Sequence, residues 1–292
     1  MGENHKMGTL WKERYKIGDE VVDSQHRELF ERTEHLLKTI QSEDTAARKE
    51  ECINTILFLK IYAIEHFAAE EKYQESVNYK YLDVHKKIHE KFTGSVREAE
   101  KKMLDSDFSM ASIKEFTGFL TAWLTYHVAG ADQKIRTGDR ITDVSAAKEN
   151  RYVDFFMISM QNLLATMFEQ NRDDISIAKY TEDKNAVHVR IKMVGDFEGE
   201  AILSFPRDTV LNFVNTLTLM EYDEVDEMAY SVLSEMSNIV CGNVATLISS
   251  RGLDCEIEPP LLTTDSDIPG TNELFCFDTN QGQIAIKLHI GA

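Results

Sequence analysis

The first half of the chain carries histidine and carboxylate side chains at spacings that suit metal ligation. Two pairs stand four residues apart, which would place both members of each pair on one face of an α-helix. A lone histidine precedes them, and a histidine–aspartate pair separated by five positions follows them. The seven residues are His26, His66, Glu70, His85, His89, His127 and Asp132.

The donor types of this set narrow the chemistry of the predicted site. Five imidazoles and two carboxylates without a thiolate suit iron, and less uniquely zinc or manganese. The two carboxylates could bridge a pair of ions, and the five imidazoles would then divide as three and two. One ion would keep an open position at which a small ligand could bind. One such pair arises easily by chance, but the combination over separate segments indicates a metal centre.

Long helices must position these ligands. None of the four prolines falls in the first 205 residues, and the periodicity there predicts helices over residues 19–41, 45–75, 77–104 and 109–132. The breaks between them are short, and polar residues such as Asp44 and Asn78 are of types that cap helix N-termini. Because short connections make neighbouring helices antiparallel, we expect an all-α, up-down-up-down four-helix bundle with the ligands in its interior.

With these motifs, residues 11–132 resemble a bacterial hemerythrin. The matching segments are W-x₃-Y-x-I-G from Trp11, D-x-Q-H-x₂-L-F from Asp23, H-F-x₂-E-E from His66, H-x₃-H from His85 and W-L-x₂-H-x₄-D from Trp123. The resemblance implies a centre of two non-haem iron ions that binds dioxygen reversibly.

The resemblance also implies a role for each predicted ligand. It assigns one iron to His85, His89 and His127, the other iron to His26 and His66, and the bridging positions to Glu70 and Asp132. Trp123 and Leu124 resemble residues that line the family's oxygen pocket, and both would also serve as bundle core.

A polar segment over residues 137–149 predicts a linker between a first domain at 1–136 and a second at 150–292. In the second domain, helices and strands are mixed without regular alternation, which is typical of an α+β fold. We expect helices at 150–170, 207–220 and 226–251, and strands at 186–193, 201–205, CEIE, LFCF and IAIKLHI.

One Glu-x-x-Asn motif of the second domain lies in a helix. The spacing itself occurs four times in the chain, but only Glu235 and Asn238 sit mid-helix among apolar residues, with Ser231 one turn before and Pro259–Pro260 after. This context, together with the segment GDFEGEAILSFP (195–206), resembles the CheC/CheX family of chemotaxis phosphatases. A single motif suits the CheX type.

That resemblance implies hydrolysis of the aspartyl phosphate of a CheY-like response regulator. Asn238 would orient the attacking water, Glu235 would pair with a lysine of the regulator, and the regulator would supply the Mg²⁺ ion. CheX-like domains pair through their sheets, so a homodimer is implied as well.

The net charge limits the classes of binding partner, and the cysteines indicate the redox state of the cellular compartment. The formal net charge is −18, and residues 141–292 carry 10 Lys and Arg against 25 Asp and Glu. An acidic surface argues against nucleic acid and an anionic membrane as partners. We expect no signal peptide and no apolar run long enough to span a bilayer. Four scattered cysteines without a CxxC spacing fit a reducing cytoplasm.

Two such domains on one chain indicate a signalling protein, with a sensory first domain and a catalytic second domain. The leading hypothesis is an oxygen or redox sensor in which the di-iron state sets the activity of the phosphatase-like domain. One alternative is an oxygen carrier or storage protein whose second domain only docks or dimerises. Another is a di-iron enzyme that removes peroxide or nitric oxide.

Overall fold

The computed structural model describes residues 9–138, 152–179, 181, 183–263 and 273–290. The chain divides into two compact units with a boundary close to residue 141. Most of the linker predicted at 137–149 therefore lies outside the described residues, and its limits stay a prediction.

The first unit is built from four long helices. They are α1 (Glu20–Thr39), α2 (Thr45–Ser76), α3 (Leu82–Asp105) and α4 (Met110–Tyr126). Each helix packs against the next and α1 packs against α4, which closes the bundle. After α4 come a single π-helical turn (His127–Ala131) and the short α5 (Gln133–Thr137), which ends at Gly138 with a φ of 72°. The predicted four-helix bundle is confirmed.

Side-chain caps explain where most of these helices begin. The carboxylates of Asp19 and Asp44 accept hydrogen bonds from free backbone N–H groups at the starts of α1 and α2, and Ser109 does the same for α4. The predicted start of α3 near Asn78 is wrong. Asn78 has a φ of 53° and lies in the turn after α2, so α3 begins at Leu82, behind Tyr81, without a side-chain cap.

Helix α2 is both long and apolar. We expected no segment that could span a bilayer, but α2 is long and apolar enough to do so. Length and composition alone are weak evidence of a membrane span, because the core helix of a soluble protein meets the same criterion. Within the bundle α2 buries five polar side chains, those of Glu51, Thr55, His66, Glu70 and Gln74. Burying a carboxylate and an imidazole is costly unless both are paired. The buried side of α2 therefore requires polar partners from the other helices of the bundle, such as His85 and His89.

Among its described residues, the second unit contains three α-helices and one antiparallel sheet. The helices are α6 (Tyr152–Phe168), α7 (Arg207–Thr218) and α8 (Glu227–Ser249). The strands are β1 (Ser176–Ala178), β2 (Val187–Gly195), β3 (Gly199–Phe205), β4 (Cys255–Ile257), β5 (Leu261–Thr263), β6 (Glu273–Thr279) and β7 (Gly282–Ile290). The predicted α+β class is confirmed.

The sheet has the order β1-β6-β7-β3-β2-β4, and β5 also pairs with β2. Its central strands are buried, and α8 packs against β2, β4 and α6. The sequence did not predict β1 and β5, because three residues are too few to show an alternating pattern. All four cysteines are buried and free.

Candidate functional site

The structure brings all seven predicted ligands together inside the bundle. The side chain of Glu70 lies at the centre of one group of contacts. Its Oε1 lies 3.1 Å from Nε2 of His85, and its Oε2 lies 3.1 Å from Nε2 of His89 and 3.6 Å from Nε2 of His66. The carboxylate from α2 is therefore shared between imidazoles of two helices.

Asp132 holds the matching position on the other side of the site. Its Oδ2 lies 3.1 Å from Nε2 of His26, and its Oδ1 lies 3.1 Å from Nε2 of His127 and 3.3 Å from Nε2 of His85. Both carboxylates thus face one imidazole of a two-histidine set and two imidazoles of a three-histidine set.

Two groups of donor atoms are close enough to surround one ion each. The first comprises Glu70, His85, His89 and His127, and the second comprises His26, His66 and Glu70. In both groups the atoms lie within 4.8 Å of one another. The division of the imidazoles into three and two is the one that the sequence pattern suggested, and Glu70 belongs to both groups.

The π-helical turn solves a spacing problem at the end of α4. Five positions along a regular α-helix rotate a side chain by about 140°, which would turn Asp132 away from His127. Instead, the backbone N–H of Asp132 donates to the carbonyl oxygen of His127 at 3.0 Å, five residues back. This turn places both side chains on the same side of the chain, and π-turns of this kind are frequent at functional sites.

The site is fully enclosed, and most of the polar atoms that face its centre lack a well-aligned hydrogen bond. The seven side chains are each no more than 3 % exposed. Among the described residues, no well-aligned hydrogen-bond partner is found for Nε2 of any of the five histidines, for either oxygen of Asp132 or for Oε2 of Glu70. Buried polar atoms are normally satisfied, so this concentration of unpartnered donors fits a pair of metal ions.

The electrostatics of the site favour cations. Burial lowers the pKa of His127 to about 3 and that of His66 well below its usual value, which leaves both imidazoles neutral. Burial acts to lower the pKa of His85 too, but Glu70 and Asp132 outweigh it and raise that pKa to about 10. In the metal-free chain, protonated His85 therefore supplies the positive charge that the two carboxylates require.

Polar partners from outside the ligand set orient three of the ligands. Oε1 of Gln25 lies 3.1 Å from Nδ1 of His66, and Oε1 of Glu71 lies 3.3 Å from Nδ1 of His89. The amide of Gln74 donates to Oε1 of Glu70 at 3.2 Å. Such contacts hold an imidazole in the tautomer and orientation that a metal needs.

We expect Gln25→Ala to weaken iron binding by roughly 10- to 100-fold, because His66 would lose the group that fixes its ring. The measurement is a competition titration against a ferrous chelator. Ser24→Ala, an exposed neighbour on the same helix, is the matched control and should leave the affinity unchanged. Equal iron affinity of both variants would contradict the orienting role of Gln25.

Aromatic side chains close the bundle around the ligands. Trp123 stacks on the imidazole of His127 with ring centroids 4.3 Å apart, and Phe67 stacks on His89 at 3.8 Å. Leu124 is completely buried on α4. The positions of Trp123 and Leu124 agree with core packing beside the site, and their part in an oxygen pocket stays a prediction.

The Glu-x-x-Asn motif lies on α8 of the second unit. Glu235 and Asn238 are both half-buried and lie one turn apart on the partly exposed face of this helix, together with Ser231. The opposite face, including Val232, Met236 and Val240, is buried. Burial raises the pKa of the Glu235 carboxyl to about 7.

Comparisons with known proteins bear first on the helical unit. Residues 17–136 match the family model of the hemerythrin HHE cation-binding domain. The bacteriohemerythrin of Clostridium acetobutylicum is 30% identical over 125 residues, which are 43% of this chain and 96% of that protein. The chain belongs to the hemerythrin family. The helical unit is its hemerythrin domain.

The second unit matches a different family. Residues 187–280 match the family model of the chemotaxis phosphatase CheX, so this hemerythrin-family chain also carries a CheX domain. The CheY-P phosphatase CheX of Thermotoga maritima is 29% identical over 116 residues, which are 36% of this chain and 75% of that protein. A solved CheX-CheY-BeF₃-Mg complex from Borrelia burgdorferi aligns at 24% identity and a TM-score of 0.42, over 49% of this chain and 100% of that one.

Sequence reasoning missed several residues at the hemerythrin site. It assigned no role to Gln25 or Glu71, although both stand directly beside ligands in the motifs. It also passed over Gln74 and over Tyr62, whose ring stacks on His66 with centroids 4.3 Å apart. Gln74 stands four residues after Glu70, and Tyr62 stands four residues before His66. This helical spacing could have revealed both residues from the sequence.

Proposed function

We propose that this chain is a signalling protein in which the state of a di-iron centre in the hemerythrin domain sets the activity of a CheX-type phosphatase. Its substrate is a phosphorylated, CheY-like response regulator. The observation that carries the proposal is the presence of both domains on one chain, the first with seven candidate ligands that converge in its interior. The active form is a homodimer that pairs through the CheX domain.

The residues of the hemerythrin domain hold the group that receives the signal. His85, His89 and His127 would hold one iron ion, His26 and His66 would hold the second, and Glu70 and Asp132 would be the carboxylate ligands shared between them. The iron pair supplies reversible dioxygen binding and redox change when it is bound. The protein orients the imidazoles and excludes water, because all of these side chains are buried beneath aromatic rings.

The CheX domain supplies a carboxamide and a carboxylate to the regulator. Asn238 both accepts and donates hydrogen bonds, so it can direct a water molecule in line with the phosphorus atom. The water forms the new P–O bond as the bond to the aspartyl oxygen breaks, which yields inorganic phosphate and a free aspartate. Glu235 pairs with a lysine of the regulator and fixes the register, and the regulator brings its own Mg²⁺.

The raised pKa of Glu235 gives the phosphatase a pH dependence. Below pH 7 the carboxyl is largely protonated and cannot pair with a lysine, whereas above pH 7 it is ionised. We therefore expect kcat/KM, which reports the free protein, to rise between about pH 6 and 8. Glu235→Gln should lower kcat/KM and abolish that part of the rise. A wild-type profile identical in shape to that of Glu235→Gln would contradict this role.

The end of the hemerythrin domain suits a transmitting role. The predicted ligand Asp132 is followed directly by α5, and the second unit comes next in the sequence. The side chain of Gln133 donates to the carbonyl oxygens of Tyr15 at 2.6 Å and Val128 at 3.3 Å, so α5 is tied to the bundle next to the π-turn. A change in ligation at Asp132 would shift this turn, and coupling requires two such arrangements with different affinities for the signal.

The experiment that tests the proposal measures both activities on one preparation of the full chain. Iron content and the optical spectrum under reducing and aerated conditions report on the first domain. Hydrolysis of a CheY-like regulator phosphorylated by a small phosphodonor reports on the second. Two iron ions and phosphate release are expected together. A stable oxygen adduct without phosphatase activity would favour a carrier, and steady turnover of peroxide or nitric oxide would favour a redox enzyme.

A further inference from the structure

Tyr62 is a buried polar residue beside the metal centre that the ligand set does not use. It lies on α2 one turn before His66, is 6 % exposed, and its ring stacks on the His66 imidazole at an angle of 23°. Its hydroxyl is buried and has no hydrogen-bond partner among the residues that the structure describes. The rings of Phe58 and Phe67, at 5.6 and 6.2 Å, offer it none.

A buried hydroxyl without a partner is unfavourable, and a phenylalanine at this position would provide the same ring without that cost. Native interiors rarely keep such a group, and each exception calls for an explanation such as a ligand. Tyr62 is therefore best explained by a partner that binds in the site. At neutral pH a phenol is protonated, so it would act as the donor.

The position of Tyr62 indicates which ion that partner accompanies. His66 belongs to the two-histidine group with His26, which has fewer donors than the three-histidine group. An ion held there would have fewer protein ligands and would be the one left with an open position.

We infer that the Tyr62 hydroxyl forms a ligand subsite beside the His26–His66 pair and donates a hydrogen bond to a small anion bound there. This inference rests on the proposed di-iron centre. Hydrogen bonds to a charged partner are stronger than those between neutral groups, so the subsite would favour anionic ligands over neutral ones.

The test is an azide titration of the iron-loaded, diferric full chain followed by its optical spectrum. Tyr62→Phe should keep both irons and raise the azide dissociation constant about 10-fold or more, as expected for one charge-assisted hydrogen bond. Tyr79→Phe is the matched control, since Tyr79 is equally buried and its ring lies 6.4 Å from that of His85 in the three-histidine group. Its azide affinity should match wild type.

Several outcomes would overturn the inference. Unchanged azide affinity in Tyr62→Phe would show that the hydroxyl contacts no bound anion. Loss of iron from this variant, or phenolate vibrations in the resonance Raman spectrum of wild type, would make Tyr62 a metal ligand. If the variant does not fold, 3-fluorotyrosine at position 62 should tighten azide binding because its hydroxyl is a stronger donor, and no tightening would also overturn it. Absence of iron from wild type would refute the proposed function instead.

Discussion

Asp132→Ala should deplete the hemerythrin domain of iron while the bundle stays helical. Asp132 faces His26 with one oxygen and His85 and His127 with the other, so its loss removes a shared ligand from both ions. The affinity should fall by more than the roughly 10- to 100-fold that follows loss of an orienting partner alone. Iron content after desalting, together with the diferric absorption, measures this effect.

The same substitution should also lower stability. In the metal-free protein Asp132 is one of two carboxylates that hold protonated His85, and breaking a buried ion pair costs about 3–5 kcal/mol. Chemical denaturation followed by circular dichroism reports this change. Asp105→Ala, an exposed aspartate at the end of α3, is the control. Full iron occupancy in Asp132→Ala would remove this residue from the ligand set.

Asn238→Ala should abolish phosphatase turnover and leave binding of the regulator intact. The alanine cannot orient water, and a misplaced nucleophile costs about 100-fold or more in rate. Glu235, one turn away, still pairs with the partner lysine, so the dissociation constant should stay close to that of wild type. Single-turnover phosphate release and a separate binding titration distinguish the two effects.

Thr246→Ala provides the control for Asn238→Ala because it lies further along the exposed face of α8. Its turnover should equal that of wild type. If Asn238→Ala hydrolyses the phosphorylated regulator at the wild-type rate, the second domain acts as a docking or dimerisation module.

The sequence could predict much of the candidate metal site because its residues obey helical spacing. His66 with Glu70 and His85 with His89 share helix faces by simple periodicity, and the bundle topology then brings the faces together. The same reasoning predicted the four long helices, because each shows helical periodicity over several turns in a stretch without proline. It failed for Asn78, whose residue type suits a helix N-cap and a left-handed turn equally well.

Other features depend on the tertiary structure. The five-residue separation of His127 and Asp132 does not reveal a π-turn, because the same sequence is compatible with a regular α-helix in which the two side chains point in different directions. The unpartnered hydroxyl of Tyr62 becomes visible only once the surrounding rings are placed. In the second domain, the three-residue spacing of Glu235 and Asn238 places them on one face of a helix. The raised pKa of Glu235 results from burial in the folded domain, which the spacing cannot predict.

One measurement decides whether the iron centre controls the phosphatase. The full chain is prepared in diferrous, oxygen-exposed and diferric forms, and the rate constant for dephosphorylation of a phosphorylated CheY-like regulator is determined for each, with Asp132→Ala as the uncoupled control. We predict rates that differ by about fivefold or more between forms of the wild type, in the range of typical coupling energies. The iron-depleted variant, taken through the same reducing and oxidising treatments, should show no difference. Equal rates in all three forms of the wild type would contradict the account.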